Sequence, residues 1–397
     1  MSRPLLLSIV PQNWLRNPET MKKFWSWLPF AILMVAAIAV GRGLWTAIFP
    51  HSPVLIRSSV PVATLSGEFP CVYALVRNGQ VAPQLGSCAM PTIHSESVDR
   101  FETDLRYGRF VVRQTDLFLD DIFKVPLTRT YASDDWIHKN PVHAFGRNAN
   151  HPFDIAPLGS RNPYTYMLLA LEDSDFLYFD RISAGTGYQD AIYQHTETAT
   201  NFYKAKIKWN GNGWTTKLED GSQIRFPESY SGTNAAQGAA TEIRDSSGNR
   251  LILHRDRQRN LREIETPHGH WIRLQTDSQA RILRAEDDRG NWTSYQYSPE
   301  GMLAQVSSSS GEVRSYVYDG ALMIQVLDGH GQVLVRNWYD GGQLRKQQFA
   351  DGSLYLYYFE SSPGGRYRKT ATVTLPGGVK KRIEVESFVP AAVKRGD

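Results

Sequence analysis

Residues 290–352 read GNWTSYQYSPEGMLAQVSSSSGEVRSYVYDGALMIQVLDGHGQVLVRNWYDGGQLRKQQFADG, and this stretch decides the fold. Glycines fall at Gly290, Gly311, Gly331 and Gly352, and upstream Gly248 and Gly269 extend the ladder, with successive differences of 21, 21, 21, 20 and 21. Thirteen positions after the first five glycines stand Leu261, Ile282, Leu303, Ile324 and Leu344, so an apolar residue recurs in phase with each turn. Tyr295/Tyr297 and Tyr316/Tyr318 sit five and seven positions after their glycines, and Trp338 follows Gly331 at the seven-residue offset. A spacing of two puts each tyrosine pair on one strand face. The unit is therefore one hairpin, with tight turns at His268-Gly269, Arg289-Gly290, Gly329-His330-Gly331 and Asp351-Gly352. A lone hairpin is marginal in water, so successive units are expected to pair edge to edge in one antiparallel sheet.

These residues resemble the RHS or YD-repeat proteins, whose units read YDxxGxLxxVxDxxGxxxxY. Tyr318-Asp319-Gly320 and Tyr339-Asp340-Gly341 carry the dipeptide, and Tyr297-Ser298-Pro299-Glu300-Gly301-Met302-Leu303 is a degenerate copy. Upstream, Arg109 to Asp135, with Thr115-Asp116-Leu117 and Arg129-Thr130-Tyr131, is similar to the domain of unknown function that leads into such repeats. Where that family often has Gly-x-Gly-Trp, this chain has Phe145-Gly146-Arg147-Asn148-Ala149-Asn150-His151-Pro152. The resemblance implies a spiral β shell, which in long members encloses a C-terminal toxin released at an Asp-Pro-type motif. No Asp-Pro dipeptide occurs here, and some 45 residues follow Gly352. Six turns imply about a dozen strands and ~55 Å of sheet at ~4.8 Å per strand, which predicts a curved partial wall with open edges.

Around this centre the expected class is mainly β: a transmembrane helix, a β-rich domain and the repeat wall. Lys206 to Phe226 reads as a meander with Asn-Gly and Asp-Gly turns, so the domain is expected to run into the repeats without a free linker. From Phe24 to Gly41 eighteen residues carry no charge, Trp25, Trp27 and Trp45 bracket them, and Arg3, Arg16, Lys22 and Lys23 precede them. One membrane span with the body outside follows from that charge asymmetry. Cleavage after Ala37-Ile38-Ala39, releasing a secreted body, is the other reading. The expected divisions are a cytoplasmic N-terminus (1–23), the span (24–46), an extracytoplasmic linker (47–100), the N-terminal β domain (101–230), the repeats (231–360) and a C-terminal hairpin and tail (361–397). Cys71 and Cys88 either pair in an oxidising compartment or remain thiols, because spacing alone decides nothing.

The composition narrows the chemistry. Of 397 residues, 44 are Lys or Arg and 40 Asp or Glu, a net +4 that is too small for a nucleic-acid binder. Two cysteines exclude a cysteine-rich zinc or disulfide scaffold. Paired acids at Asp120/Asp121, Asp134/Asp135 and Asp287/Asp288, and the run Glu172-Asp173-Ser174-Asp175, read as turns and solvated faces. His268 and His270 share a face without a patterned third metal ligand. Arg255, Arg257 and Arg259 alternate with polar residues as a basic stripe that is a binding surface or a solvated face. No P-loop, dinucleotide fingerprint, HExxH or GxSxG occurs. The expectation is a non-enzymatic protein without cofactor or bound metal, anchored by one span and binding a protein partner. The other readings are the N-terminal part of a split toxin system, completed by a separately encoded chain, and an exported carbohydrate-binding or carbohydrate-active protein.

Overall fold

The computed structural model describes residues 71–77, 80–86, 100–105, 107–134, 142–196, 202–229, 235–361 and 368–384, all within one unit. No helix among them is long and apolar enough to cross a membrane. The expected span at Phe24–Gly41 lies outside the described residues, as does Cys88. The supposed linker carries a hairpin of its own, β1 (Cys71–Arg77) against β2 (Gln80–Gly86).

A second sheet is built from β3 (Arg100–Asp104), β4 (Arg109–Asp120) and β5 (Lys124–Ala132). After the short pair β6 (Val142–His143) and β7 (Gly146–Arg147), β8 (Ala149–Asn150) joins β5. β4 and β5 differ from half-exposed strands: fifteen of their twenty-one residues are buried, polar and apolar alike, and only Asp120 and Lys124 are exposed. Such a pattern marks a sheet covered on both faces.

The cover is a single sheet of twenty-one strands. It starts with β9 (Ala156–Gly159), β10 (Tyr166–Ala170), β11 (Phe176–Arg181), β12 (Ile192–Gln194), β13 (Lys206–Trp209), β14 (Gly213–Lys217) and β15 (Gln223–Pro227). The ladder segment adds β16 (Glu242–Arg244), β17 (Arg250–Arg255), β18 (Leu261–Glu265), β19 (Trp271–Thr276), β20 (Ile282–Asp287), β21 (Trp292–Tyr297) and β22 (Leu303–Ser308). It continues through β23 (Val313–Asp319), β24 (Leu322–Leu327), β25 (Val333–Asp340), β26 (Gln343–Phe349) and β27 (Leu354–Ser361), and ends in the hairpin β28 (Arg368–Thr374) and β29 (Lys380–Glu384). The boundary expected near residue 230 falls inside this sheet, since β15 pairs directly with β16.

The wall is not the open arc the turn count implied. Its strand order is cyclic, with β9 next to both β10 and β29, so the sheet closes into a barrel. The estimate of a dozen strands counted only glycine-marked hairpins, and the strands before the ladder supply the rest of the circumference. Successive neighbours from β9 to β29 are antiparallel, and an odd number of strands then leaves β29 running parallel to β9 at the closing seam.

Each ladder glycine has positive φ, from 78° at Gly331 to 94° at Gly248, which an L residue adopts only at a cost. The amide of Gly290 donates to the carbonyl of Asp287, while the Asp287 carboxylate accepts from the amides of Arg289 and Asn291. The same device recurs at Asp245 and Asp328, and also at Asp277, where Ala280 takes the glycine position with φ 65°. Leu261, Ile282, Leu303 and Leu344 are buried. Ile324 is only half-buried, and Met323 fills the core there instead. The Asp319-Gly320 turn is tight, with Asp319 opposite Leu322, and a bulge at Val317/Tyr318 sets Met323 opposite Tyr318.

Candidate functional site

The interior of the barrel is where the repeat tyrosines act, and it is filled by the β3–β4–β5–β8 sheet. Phe110, Val112, Leu119, Val125 and Leu127 of that sheet share one continuous core with Leu261, Ile282, Leu303, Val326 and Leu344 of the wall. The tyrosines divide into two sets. Tyr297 and Tyr339 donate to the carbonyls of Ile282 (2.6 Å) and Met323 (2.8 Å), binding each unit to the one before it. Tyr295, Tyr316 and Tyr357 instead reach the inner sheet: Tyr295 donates to Asp116 (2.9 Å), Tyr316 to Gln114 (3.0 Å), and Tyr357 accepts from Thr103 (3.2 Å). The inner sheet reciprocates through Tyr131, which donates to the carbonyl of Ala321 (2.7 Å) and accepts from the amide of Met323. Burial pushes the Tyr295, Tyr318 and Tyr357 hydroxyls well above the ordinary phenol range, so these groups stay neutral.

Charge is buried here and paired. Arg129, on β5, lies 3.1 Å from Asp116 on β4, and each side chain is 1% exposed; the same guanidinium donates to Tyr316 (3.0 Å) and to Gln114. Burial alone would lower the Arg129 pKa, but the Asp116 charge outweighs it and holds the pKa above its usual value. Arg113 joins Glu102 and Asp173 (2.6 Å), and Arg109 joins Asp104 (2.8 Å) while donating to the carbonyl of Asp173 (2.9 Å). The Glu172–Asp175 run is therefore no solvated turn. All four residues are buried, because the loop between β10 and β11 folds onto arginines some sixty positions earlier.

Backbone contacts close the remaining gaps. The amide of Ile282 donates to Ala144, that of Arg147 to Gly301, and that of Leu344 to Gly108. In Phe145–Pro152 the chain meets the wall so closely that a Cβ on Gly146, whose φ is 89°, would stand 2.5 Å from the carbonyl oxygen of Gly301. The sequence motif that departs from the family pattern thus supplies a close approach in its own way, with Phe145 buried against Tyr295.

The other sequence candidates separate. Arg255 is buried and holds Asp154 (2.8 Å) and the carbonyls of Phe153 and Ala240, whereas Arg257 and Arg259 are exposed in the following turn. No basic stripe forms, since β17 ends at Arg255 and strand alternation stops there. His268 turns to Asp121 (2.5 Å) and His270 to Asp288 (2.6 Å), so the two rings do not converge. A cluster not read from the sequence joins His254 with Glu263 and Glu265 across β17 and β18, ligand atoms within 4.8 Å; Glu265 meets the His254 ring (2.7 Å) and Glu263 accepts from Arg273 (2.7 Å). Its signal was the opposite register of His254 and Glu263, invisible without the pairing. Outside the barrel, cations lie over indole rings: Arg273 on Trp271 (3.9 Å), Arg284 on Trp292 (4.6 Å) and Lys346 on Trp338 (4.3 Å).

Residues 208–337 match the Teneurin YD-shell family model. A search of curated proteins finds no match. Among solved structures, a TcdB2-TccC3-TEV crystal structure is similar at 15% identity with a TM-score of 0.29, and a Photorhabdus luminescens Tc holotoxin pore at 15% with 0.28. Each alignment covers 74% of this chain and 17% of the other, so the chain spans about a sixth of those lengths. At such TM-scores the likeness carries no argument.

Proposed function

We propose that this chain, an RHS/YD-repeat protein of the shell type, is a non-enzymatic, membrane-anchored scaffold that binds a protein or another surface ligand on the outside of its barrel. One observation carries the reading. The tyrosine-lined interior is engaged by the chain's own β3–β4–β5–β8 sheet through Asp116, Gln114, Thr103 and Tyr131, which leaves the outer face as the surface open to a ligand. A split toxin shell would need that interior for cargo. The anchor rests on the uncharged run Phe24–Gly41 and its charge asymmetry.

A photo-crosslinking residue placed at Trp292 on the outside should give adducts with other molecules in native membranes, and one at Tyr295 on the inside only adducts within the chain. Intermolecular adducts from Tyr295 would show the interior to be the ligand site. Alkaline phosphatase fused after Asp397 should be active outside the cytoplasm, and activity confined to the cytoplasm would reverse the topology.

A further inference from the structure

Four of the exposed large apolar side chains among the described residues fall close together near the C-terminal end of the barrel. Leu354 (36%), Leu356 (42%) and Tyr358 (60%) alternate along β27 on its outer face, and Val379 (58%) stands in the turn between β28 and β29. Register places their neighbours. Trp338, Lys346, Leu356, Thr374 and Lys380 lie directly opposite one another across β25 to β29, so all five share the outer face; Tyr358, Thr372 and Arg382 form the adjacent row. An apolar ridge therefore runs between Lys346 on one side and Lys380 and Arg382 on the other.

The sequence of this segment is basic. Residues 343–384 hold eight Lys or Arg against three Asp or Glu, a net +5, while the rest of the chain, 36 against 37, is −1. Arg382 is balanced by Glu360 (3.3 Å), but Lys380 and Lys381 are exposed and have no ion-pair partner among the described residues. Two copies meeting through this face would bring like charge together, which opposes self-association.

We infer that this face docks onto an anionic lipid surface, with Leu354, Leu356, Tyr358 and Val379 entering the headgroup region and Lys346 and Lys380 meeting lipid phosphates. Exposed apolar side chains interleaved with unpaired lysines are the chemistry that interfacial binding needs, the apolar part for depth and the cations for anionic headgroups. The Pro376-Gly377-Gly378-Val379 turn offers an apolar tip with the Lys380-Lys381-Arg382 run directly behind it. The inference deepens the membrane-anchored reading and is tested apart from it.

The full chain is inserted into nanodiscs of phosphatidylcholine, which satisfies the uncharged run, and the immobilised discs are offered vesicles in solution. Vesicles containing phosphatidylglycerol should be captured and pure phosphatidylcholine vesicles should not. Lys346→Gln with Lys380→Gln should weaken capture by about thirtyfold, at about fivefold per lysine near an anionic surface. Leu356→Ser with Tyr358→Ser should weaken it with the same charge in place. Equal capture of both vesicle types, or no change in the lysine variant, would overturn the inference. Preferential capture of soluble polyglutamate would overturn it in favour of an acidic protein partner. A chain that fails to enter nanodiscs refutes the anchor alone, since the vesicle measurement then proceeds on the free chain.

Discussion

Arg129→Met tests whether the inner sheet and the wall form one cooperative structure. The substitution keeps side-chain volume but removes the cation 3.1 Å from Asp116, together with the hydrogen bonds to Tyr316 and Gln114. Asp116 would be left in a site where it is 1% exposed, with the Tyr295 hydroxyl at 2.9 Å still donating to it. Breaking one half of a buried pair costs about 3–5 kcal/mol, because the surviving charge is stranded. For a unit of this size that lowers the melting temperature by about 4–7 °C. Asp116→Asn in the same chain removes the stranded charge, so the double variant should regain most of the loss. Tyr295→Phe, which removes one hydrogen bond to a charged acceptor, should cost about 1.5–3 kcal/mol. Calorimetry of these variants together with Asp116→Asn alone closes the cycle and gives the coupling. An Arg129→Met loss below about 1 kcal/mol, or a double variant no better than the single, would refute the claim that this pair locks the interior.

Gly290→Ala should cost about 1–2 kcal/mol, since the residue has φ 83° and nothing lies within 4 Å of an added Cβ, so the loss is purely conformational. Ala280→Gly, at φ 65°, should be neutral to about 1 kcal/mol stabilising, because relief of the backbone is partly offset by a freer unfolded chain; urea unfolding measures both. Burial raises the Glu242 carboxyl pKa, but hydrogen bonds from Arg250 and Arg244 and the charge of Arg225 outweigh it and hold it below the usual value. Its contribution is therefore present above the ordinary carboxylate range and is lost as pH falls through the lowered folded value, and Glu242→Gln should flatten the melting temperature over that acid range. Deleting residues 366–397 removes β28 and β29 and leaves β27 and β9 with unpaired edges, so light scattering should detect oligomers. A chain that remains monomeric would deny the seam its role.

The ladder was legible because a tight hairpin turn demands positive φ, and glycine meets that demand most cheaply. Two of the five intervening turns were hidden by the same logic. Arg259 and Ala280 sit in the glycine position of the intervening turns with φ 72° and 65°, so a count of glycines passes over them. The signal that finds them is the aspartate three residues earlier: Asp256 and Asp277 accept amide hydrogen bonds as Asp245 and Asp287 do. The buried charges were not legible. Arg113 meets an acid eleven positions before it and another sixty after it, and no local pattern records such a meeting. Arg255, read as one of a stripe, is drawn inward by Asp154, a hundred and one positions away.

The two tyrosine sets explain why a repeat signature and a filled interior belong together. Tyr297 and Tyr339 bond to a carbonyl on the preceding strand, so this contact needs nothing from outside the wall. Tyr295, Tyr316 and Tyr357 bond to the inner sheet, and their partners, Asp116, Gln114 and Thr103, differ from unit to unit. The first set ties the wall to itself; the second, which recurs five positions after Gly290, Gly311 and Gly352, ties the wall to what it surrounds. Emptying this barrel would strand Asp116 and Arg129 without the Tyr295 and Tyr316 hydroxyls while exposing an apolar face on both sheets, at a cost comparable to unfolding the wall. An interior held in that way does not exchange its contents while the protein is folded.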